Sequence, residues 1–179
     1  FPTGEDGAQE MSDKFADRPK LLQDIASVLP LAGADGLAAV RCVRENAERF
    51  GVAPDRIGFM GFSAGGGVTM YVAAHYDAAT RPDFIAPIYA GAANIQEVPA
   101  DAPPIFVVAA TDDQLDLAPA SVALYSKWLA AGKPAELHMY MQGGHGFGMR
   151  RLNQPSDTWI DRFGDWLGAL NLTTPAASD

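Results

Sequence analysis

The sequence predicts a single α/β domain whose mostly parallel, doubly wound sheet is covered by helices on both faces. Two observations support this class. Short continuous apolar runs, which are typical of strands buried on both faces, alternate with amphipathic helical patterns along most of the chain. A glycine-rich stretch over residues 56–67 also links one apolar strand directly to a helix. At 179 residues, the chain has the length of one domain with its own core.

The first predicted elements lead to that glycine-rich junction. Residues 1–31 mix glycine, proline and acidic residues, so we expect an irregular surface segment with at most a short helix over Pro19–Val28. Asp35–Phe50 repeats apolar residues at three- and four-residue spacing, which predicts an amphipathic helix. An apolar strand over Ile57–Met60 and a helix over Val68–Ala79 flank the junction.

The second half of the chain continues the alternation. The remaining predicted elements are strands over Phe84–Tyr89, Ile105–Ala110 and Ala135–Met141 and helices over Asp116–Ala131 and Thr158–Leu170. Residues 35–170 therefore form the expected core of one domain, and residues 171–179 form a frayed tail.

The composition restricts the classes of partner and cofactor. A formal net charge of −9 argues against nucleic-acid binding, because phosphate backbones are bound by Lys and Arg. No apolar run approaches the roughly 20 residues that a membrane span needs, so we expect none. One cysteine excludes an internal disulfide and leaves the cellular compartment undetermined. No Cys and His cluster has zinc spacing, and we expect no metal or other cofactor.

The junction Gly61-Phe62-Ser63-Ala64-Gly65 has the Gly-x-Ser-x-Gly pattern of a nucleophile elbow. In such a turn the serine hydroxyl stands above the sheet edge, and the N–H groups of the next helix face the place where an oxyanion forms. Ser63 is therefore the predicted nucleophile, and the N–H of Ala64 is a predicted oxyanion donor. We expect a side chain at Gly61 or Gly65 to collide with its neighbours. The pattern also occurs by chance, so the prediction depends on a base and an acid downstream.

Titratable residues follow the last two predicted strands, at the edge where doubly wound sheets bind ligands. Asp112, Asp113 and Asp116 come after one strand, and His145 comes after the other. A serine hydroxyl needs an imidazole to accept its proton, and the imidazole needs a carboxylate to fix its tautomer. The order serine, aspartate, histidine is that of an α/β-hydrolase triad. Asp112 and Asp116 are also suited to cap the following helix, and we prefer that role for Asp116.

Four stretches carry a family resemblance: G-F-S-A-G-G, T-D-D-Q-L-D, A-E-L-H-M-Y-M and G-G-H-G-F-G. Together they resemble the serine esterases of the α/β-hydrolase superfamily, in the branch with acetyl-xylan esterases, feruloyl-esterase-like and dienelactone-hydrolase-like proteins. The resemblance covers residues 35–170 and implies an α/β-hydrolase fold. It implies Ser63 as nucleophile, Asp113 as acid and His145 as base, with Asp112 and Asp116 as alternatives for the acid.

The remaining aromatic and imidazole side chains give weaker indications. Phe62 and Phe147 are candidates for an acyl pocket, although packing explains them equally well. His75 falls within a predicted helix and His138 within a predicted strand. Neither follows a strand end, so we expect no catalytic role for them.

The sequence departs from the resembling family before the elbow. Members usually have about eight strands and an H-G-G-G or similar oxyanion loop, whereas we predict four strands and find no such loop. We therefore expect either a fragment that lacks the N-terminal strands, which we favour, or a compact variant. In the variant, residues 1–31 or a second copy of the chain would supply the missing donor. The elbow strand would have a free edge, which favours a homo-oligomer.

The resemblance implies a carboxylesterase that hydrolyses small acyl esters, such as acetyl esters, through an acyl-enzyme. Two alternatives stay open. One is a serine peptidase of the prolyl-oligopeptidase type, and the other is a catalytically silent hydrolase-like domain that binds a ligand or partner. A dienelactone hydrolase would normally carry Cys at the position of Ser63.

Overall fold

The computed structural model of the protein describes residues 9, 13, 17–91 and 97–173. Its first elements are the long helix α1 (Arg18–Glu45) and the short helix α2 (Ala47–Phe50). The Asp17 carboxylate accepts a hydrogen bond from the Lys20 N–H and so caps the start of α1. Gly51 follows α2 in the left-handed conformation, with φ 66°, which ends the helical segment before the first strand.

Strands and helices then alternate through the rest of the described chain. They are β1 (Gly58–Phe62), α3 (Ala64–His75), β2 (Phe84–Ile88), β3 (Ile105–Ala110), α4 (Ala118–Ala130), β4 (Ala135–Tyr140) and α5 (Trp159–Ala169), with a 3₁₀ turn over Pro155–Thr158. The sheet order is β1-β2-β3-β4, and every neighbouring pair is parallel. The C-terminal ends of the strands therefore meet at one edge, where Ser63, Asp113 and His145 follow β1, β3 and β4.

Each face of the sheet packs against its own apolar cluster. One cluster joins the sheet to α3 and α4 and includes Met70, Ile105 and Trp128. The other joins the opposite face to α5 and includes Phe106 and Trp159. Because successive residues of β3 point into different clusters, all six of its residues are buried. The predicted doubly wound parallel sheet is confirmed.

The N-terminal helix is longer than the sequence predicted. The chain is helical from Arg18, so the expectation of an irregular segment up to residue 31 is wrong from Arg18 onward. Most of residues 1–16 lie outside the described residues. Pro30 lies inside α1, where it removes one backbone hydrogen bond. Both Pro30 and Ala26, whose carbonyl loses that bond, are exposed, so water can solvate the carbonyl.

Two glycines of α1 provide room for helix packing. A Cβ on Gly33 would lie 2.0 Å from the Tyr71 ring of α3, and one on Gly36 would lie 2.8 Å from Val72 Cγ2. The backbone of α1 therefore comes close to α3 along this face. In a helix, glycine is less favourable than alanine by about 1 kcal/mol and proline by about 3 kcal/mol. Burial along this face offsets that cost.

Part of α1 meets the length and composition criteria for a membrane-spanning helix. The stretch is Pro19–Glu45, with a mean hydropathy of 1.4 over its most apolar 18-residue window, of which 17% is buried. Core helices and signal sequences meet the same criteria, so a single such helix near the N-terminus is weak evidence for a span. The expectation of no membrane span stays a prediction.

β1 lies at the edge of the sheet. Among the described strands it pairs with β2 alone, and Met60 in its middle is 40% exposed. Unpaired edge strands can associate with another strand. The predicted homo-oligomer through this edge stays a prediction.

Candidate active site

Ser63 occupies a strained turn between β1 and α3. Its backbone angles are φ 54° and ψ −117°, a combination that residues with a side chain rarely adopt and that suits a nucleophile elbow. The Ser63 N–H donates to the Ile88 carbonyl at 3.0 Å, so the end of β2 supports the turn. α3 begins at Ala64, earlier than the predicted start at Val68, and the N–H groups of its first turn lie next to Ser63.

The turn has no room for a side chain at Gly61 or Gly66. A Cβ on Gly61 would lie 2.1 Å from the Gly65 carbonyl oxygen, and one on Gly66 would lie 2.6 Å from Ala90 Cβ. A Cβ on Gly65 would meet nothing within 4 Å, so the collision expected there is wrong. The close approach to the end of β2 falls one residue later because α3 has already begun and turns Gly66 toward the sheet.

Ser63, His145 and Asp113 form a continuous hydrogen-bonded row. Ser63 Oγ lies 2.7 Å from His145 Nε2, and His145 Nδ1 lies 2.9 Å from Asp113 Oδ2. When the Nδ1 proton is donated to the carboxylate, Nε2 is left to accept the proton of the serine hydroxyl. The Asp113 side chain is 0% exposed and the His145 side chain 14% exposed, so water screens this pair little.

The segment from Gln142 to Gly148, here called the histidine loop, follows β4 and carries His145. Consecutive side chains of the turn after β3 hold this loop in place. Asp112 Oδ1 accepts a hydrogen bond from the Gly144 N–H at 2.7 Å, and Gln114 Oε1 accepts one from the His145 N–H at 2.8 Å. Asp113, which lies between them in the chain, pairs with the imidazole of His145. The sequence prediction did not include Gln114, whose one sequence signal is its position between the aspartates of T-D-D-Q-L-D.

Asp116 does not cap α4. Its φ of 55° lies in the left-handed region, and its N–H donates to the Asp113 carbonyl at 2.9 Å. The N-cap of α4 is Leu117, which makes no side-chain capping bond, so the predicted capping role of Asp116 is wrong. Aspartate tolerates the left-handed conformation better than most residues, and here it reverses the chain before α4.

Aromatic rings pack behind the imidazole. The Tyr89 ring centroid lies 5.1 Å from that of His145 and 4.7 Å from that of Phe147, and the Phe62 ring lies 5.9 Å from Tyr89. Burial raises the pKa of the Tyr89 hydroxyl above its usual value. Phe147 is 2% exposed, so packing accounts for its position. The acyl-pocket roles of Phe62 and Phe147 stay predictions.

The other two histidines have local partners elsewhere. His75 Nδ1 lies 2.9 Å from the Tyr71 carbonyl on α3, and His138 Nε2 lies 2.7 Å from Glu136 Oε1 on β4. In the part of the chain that the structure describes, no group of three His, Cys, Asp or Glu side chains is arranged to hold a metal ion.

Residues 7–160 of the chain match the dienelactone hydrolase family. The chain belongs to this family. One relative, the acetylxylan esterase of Xylanibacter ruminicola, is 25% identical to this family member over 162 residues. The match takes in 73% of this chain and 34% of that protein, so the chain spans about a third of the length of the relative.

Solved structures confirm the α/β-hydrolase fold for this family member. MGS-M1, an α/β hydrolase from a deep-sea metagenome library, has a TM-score of 0.69 and 22% identity, over 79% of this chain and 65% of that chain. The acetyl ester-xyloside bifunctional hydrolase of Caldicellulosiruptor lactoaceticus has a TM-score of 0.71 and 22% identity, over 79% and 66%. The family member spans about two thirds of each structure.

Proposed function

We propose that this dienelactone hydrolase family member is a serine carboxylesterase that acts on small acyl esters through an acyl-enzyme. One observation carries the proposal. Ser63 Oγ, in the strained turn, lies 2.7 Å from an imidazole whose other nitrogen lies 2.9 Å from the buried Asp113 carboxylate. A nucleophile, a base and an acid that fixes the base are the groups that acyl transfer through serine requires.

In the acylation step, Ser63 Oγ attacks the carbonyl carbon of the ester while His145 Nε2 accepts the hydroxyl proton. The electron pair of the carbonyl π-bond moves onto the carbonyl oxygen, which becomes the oxyanion of a tetrahedral intermediate. When this tetrahedral intermediate collapses, the bond to the alcohol oxygen breaks and His145 returns the proton to that oxygen. The products of the step are a free alcohol and an ester between Ser63 and the acyl group.

Deacylation repeats these steps with water as the nucleophile. His145 takes a proton from water as its oxygen attacks the acyl carbon, and the collapse of the second intermediate returns the proton to Ser63 Oγ. The Asp113 carboxylate keeps the Nδ1 proton in place and stabilises the imidazolium that forms in both steps. The cycle consumes one water and needs neither a metal nor a cofactor.

The N–H of Ala64 is the proposed oxyanion donor on this chain. It belongs to the first turn of α3, where N–H groups lack intrahelical partners and the positive end of the helix dipole favours an anion. Loss of one oxyanion donor costs roughly 3 to 4 kcal/mol of transition-state stabilisation. A second donor would therefore decide whether turnover is fast.

The proposed substrates are acetyl esters, including those of sugars. The support is the activity after which two similar proteins are named, the acetylxylan esterase and the acetyl ester-xyloside bifunctional hydrolase. Ser63 in place of cysteine favours ester hydrolysis over dienelactone hydrolysis within the family.

The proposal is tested by the hydrolysis of p-nitrophenyl acetate, butyrate and octanoate. We expect saturable turnover that is fastest with acetate and that disappears in Ser63→Ala. Ser126→Ala is the matched control, because Ser126 lies on the exposed side of α4 and its hydroxyl donates to the Val122 carbonyl of the same helix. Equal rates in the wild type and Ser63→Ala would overturn the proposal and favour a silent binding domain.

A further inference from the structure

Tyr89 packs against the base of the proposed catalytic row. Its ring lies edge-on to the His145 imidazole, with an interplanar angle of 68°, and edge-on to Phe147 at 71°. Its neighbour in the chain, Ile88, accepts the hydrogen bond from the Ser63 N–H. The end of β2 therefore supports the nucleophile turn through its backbone and the base through an aromatic ring.

The Tyr89 hydroxyl lies beside the chain beyond the base. Its oxygen would lie 3.9 Å from a Cβ on Gly148, and the residue as a whole is only 3% exposed. The Gly148 backbone partly opposes the rise in the pKa of the hydroxyl that burial causes. Gly148 in turn accepts a hydrogen bond from the Trp159 indole N–H at 2.7 Å. Tyr89 thus connects the strand edge to the loop after His145 and, through that loop, to α5.

The histidine loop needs such support because its glycines give it conformational freedom. Gly144, Gly146 and Gly148 have φ values of 63°, 78° and 57°. Asp112 and Gln114 hold the loop at Gly144 and at the His145 N–H. On the far side of the base, Tyr89 packs against both Phe147 and Gly148.

Tyr89 itself has a backbone conformation that is costly for its residue type. Its φ is 37°, and its N–H donates to the Val108 carbonyl at 2.6 Å. A bulky residue at positive φ persists only where its surroundings fix it, and such residues cluster at functional sites. A glycine would adopt this φ without strain, so the ring and the hydroxyl are the features that explain a tyrosine here.

We propose that Tyr89 is a positioning residue that clamps the histidine loop and holds the His145 imidazole in line between Ser63 and Asp113. The inference rests on the proposed function for its catalytic consequence. Its ring restricts the tilt of the imidazole, and its hydroxyl packs against the loop at Gly148. Tyr89 takes no part in the two hydrogen bonds of the row and is not placed to touch the reacting atoms. It therefore acts through His145.

The test compares three variants. Tyr89→Leu removes ring and hydroxyl, and Tyr89→Phe removes the hydroxyl alone. Tyr140→Leu is the matched control, because Tyr140 is a partly buried tyrosine whose ring lies next to that of His138 and is not in ring contact with His145. We measure kcat and KM with p-nitrophenyl acetate, and the downfield proton resonance of His145 Nδ1–H that is shared with Asp113.

A misplaced base lowers the rate of the chemical step and leaves ground-state binding intact. We therefore expect Tyr89→Leu to lower kcat by about 10-fold or more with KM changed by less than about 2-fold, and to broaden the Nδ1–H resonance. Tyr89→Phe should fall between it and the wild type. Tyr140→Leu should keep both kcat and the resonance.

The inference is overturned if Tyr89→Leu keeps kcat and the Nδ1–H resonance as Tyr140→Leu does. If Tyr89→Leu does not fold, Tyr89→Phe decides, and an unchanged resonance with unchanged kcat overturns the clamp. If the wild type shows no Ser63-dependent turnover, the proposed function fails. Loss of the resonance in Tyr89→Leu would even then support the clamp, so the two failures are distinguishable.

Discussion

His145 Nδ1 lies 2.9 Å from Oδ2 of Asp113, while the adjacent carboxylate of Asp112 accepts the Gly144 N–H of the same loop at 2.7 Å. The two neighbouring aspartates thus have separate partners. Asp113 contacts the ring, and Asp112 contacts the backbone. This division gives a direct experimental test of which carboxylate acts with the proposed base.

Replacing Asp113 by asparagine should nearly abolish turnover. An amide at this position favours the wrong imidazole tautomer, a change that lowers kcat by roughly 10⁴-fold in a serine protease triad. Asp112→Asn keeps a carbonyl oxygen for the Gly144 N–H and should lower kcat less than about 10-fold. Steady-state kinetics of both variants make the measurement, and a larger loss in Asp112→Asn would assign the acid to Asp112.

Replacing Gln114 should impair the base without touching the row. Gln114→Ala removes the acceptor of the His145 N–H, and loss of one hydrogen bond of about 1 kcal/mol predicts a fall in kcat of roughly 5-fold. Gln114→Glu retains an acceptor oxygen and should recover most of the activity. If Gln114→Ala and Gln114→Glu have equal kcat, the bond does not position the loop.

The two glycines of the serine motif should respond differently to alanine. Gly61→Ala places a Cβ 2.1 Å from the Gly65 carbonyl and should lower the free energy of unfolding by several kcal/mol, because backbone on both sides must move. Gly65→Ala meets no neighbour within 4 Å and lies in α3, where alanine favours the helix by about 1 kcal/mol. Urea unfolding of the two variants tests this, and equal destabilisation would contradict it.

Stability at alkaline pH should depend on Tyr76. Burial and a hydrogen bond to Asp101 raise the pKa of its hydroxyl from 10.0 to about 12. Because the folded chain keeps this proton where the unfolded chain loses it, the contribution is full below pH 10 and is lost as pH rises through 12. The free energy of unfolding should therefore fall less between pH 9 and 11 in Tyr76→Phe than in the wild type. Parallel pH dependences would contradict the shift.

Much of the fold could be predicted because its strands are short, apolar and continuous. The predicted strand Ile105–Ala110 matches β3, because a strand buried on both faces leaves a pattern that needs no knowledge of its neighbours. α1 could not be predicted over its length. Pro30 and Gly33 normally indicate a loop, and the close packing of Gly33 against Tyr71 of α3, which is distant in sequence, favours the helix there.

The sequence could predict those residues of the candidate site that directly follow a strand. Ser63, Asp113 and His145 each follow a strand, and parallel strands bring such positions to one edge. Gln114 and Tyr89 were missed because their roles depend on the path of the histidine loop, which strand pattern does not determine. The order of Asp112 and Asp113 in the chain likewise could not distinguish their partners without the loop geometry.

The most direct measurement is the site of covalent labelling by a fluorophosphonate, determined by intact mass and peptide mapping. The proposed mechanism predicts one adduct per chain, on Ser63. It also predicts no adduct in Ser63→Ala and strongly slowed labelling in His145→Ala, because the hydroxyl then lacks the base 2.7 Å away. Absence of an adduct on the wild type, or an adduct that persists in Ser63→Ala, would contradict Ser63 as the activated nucleophile.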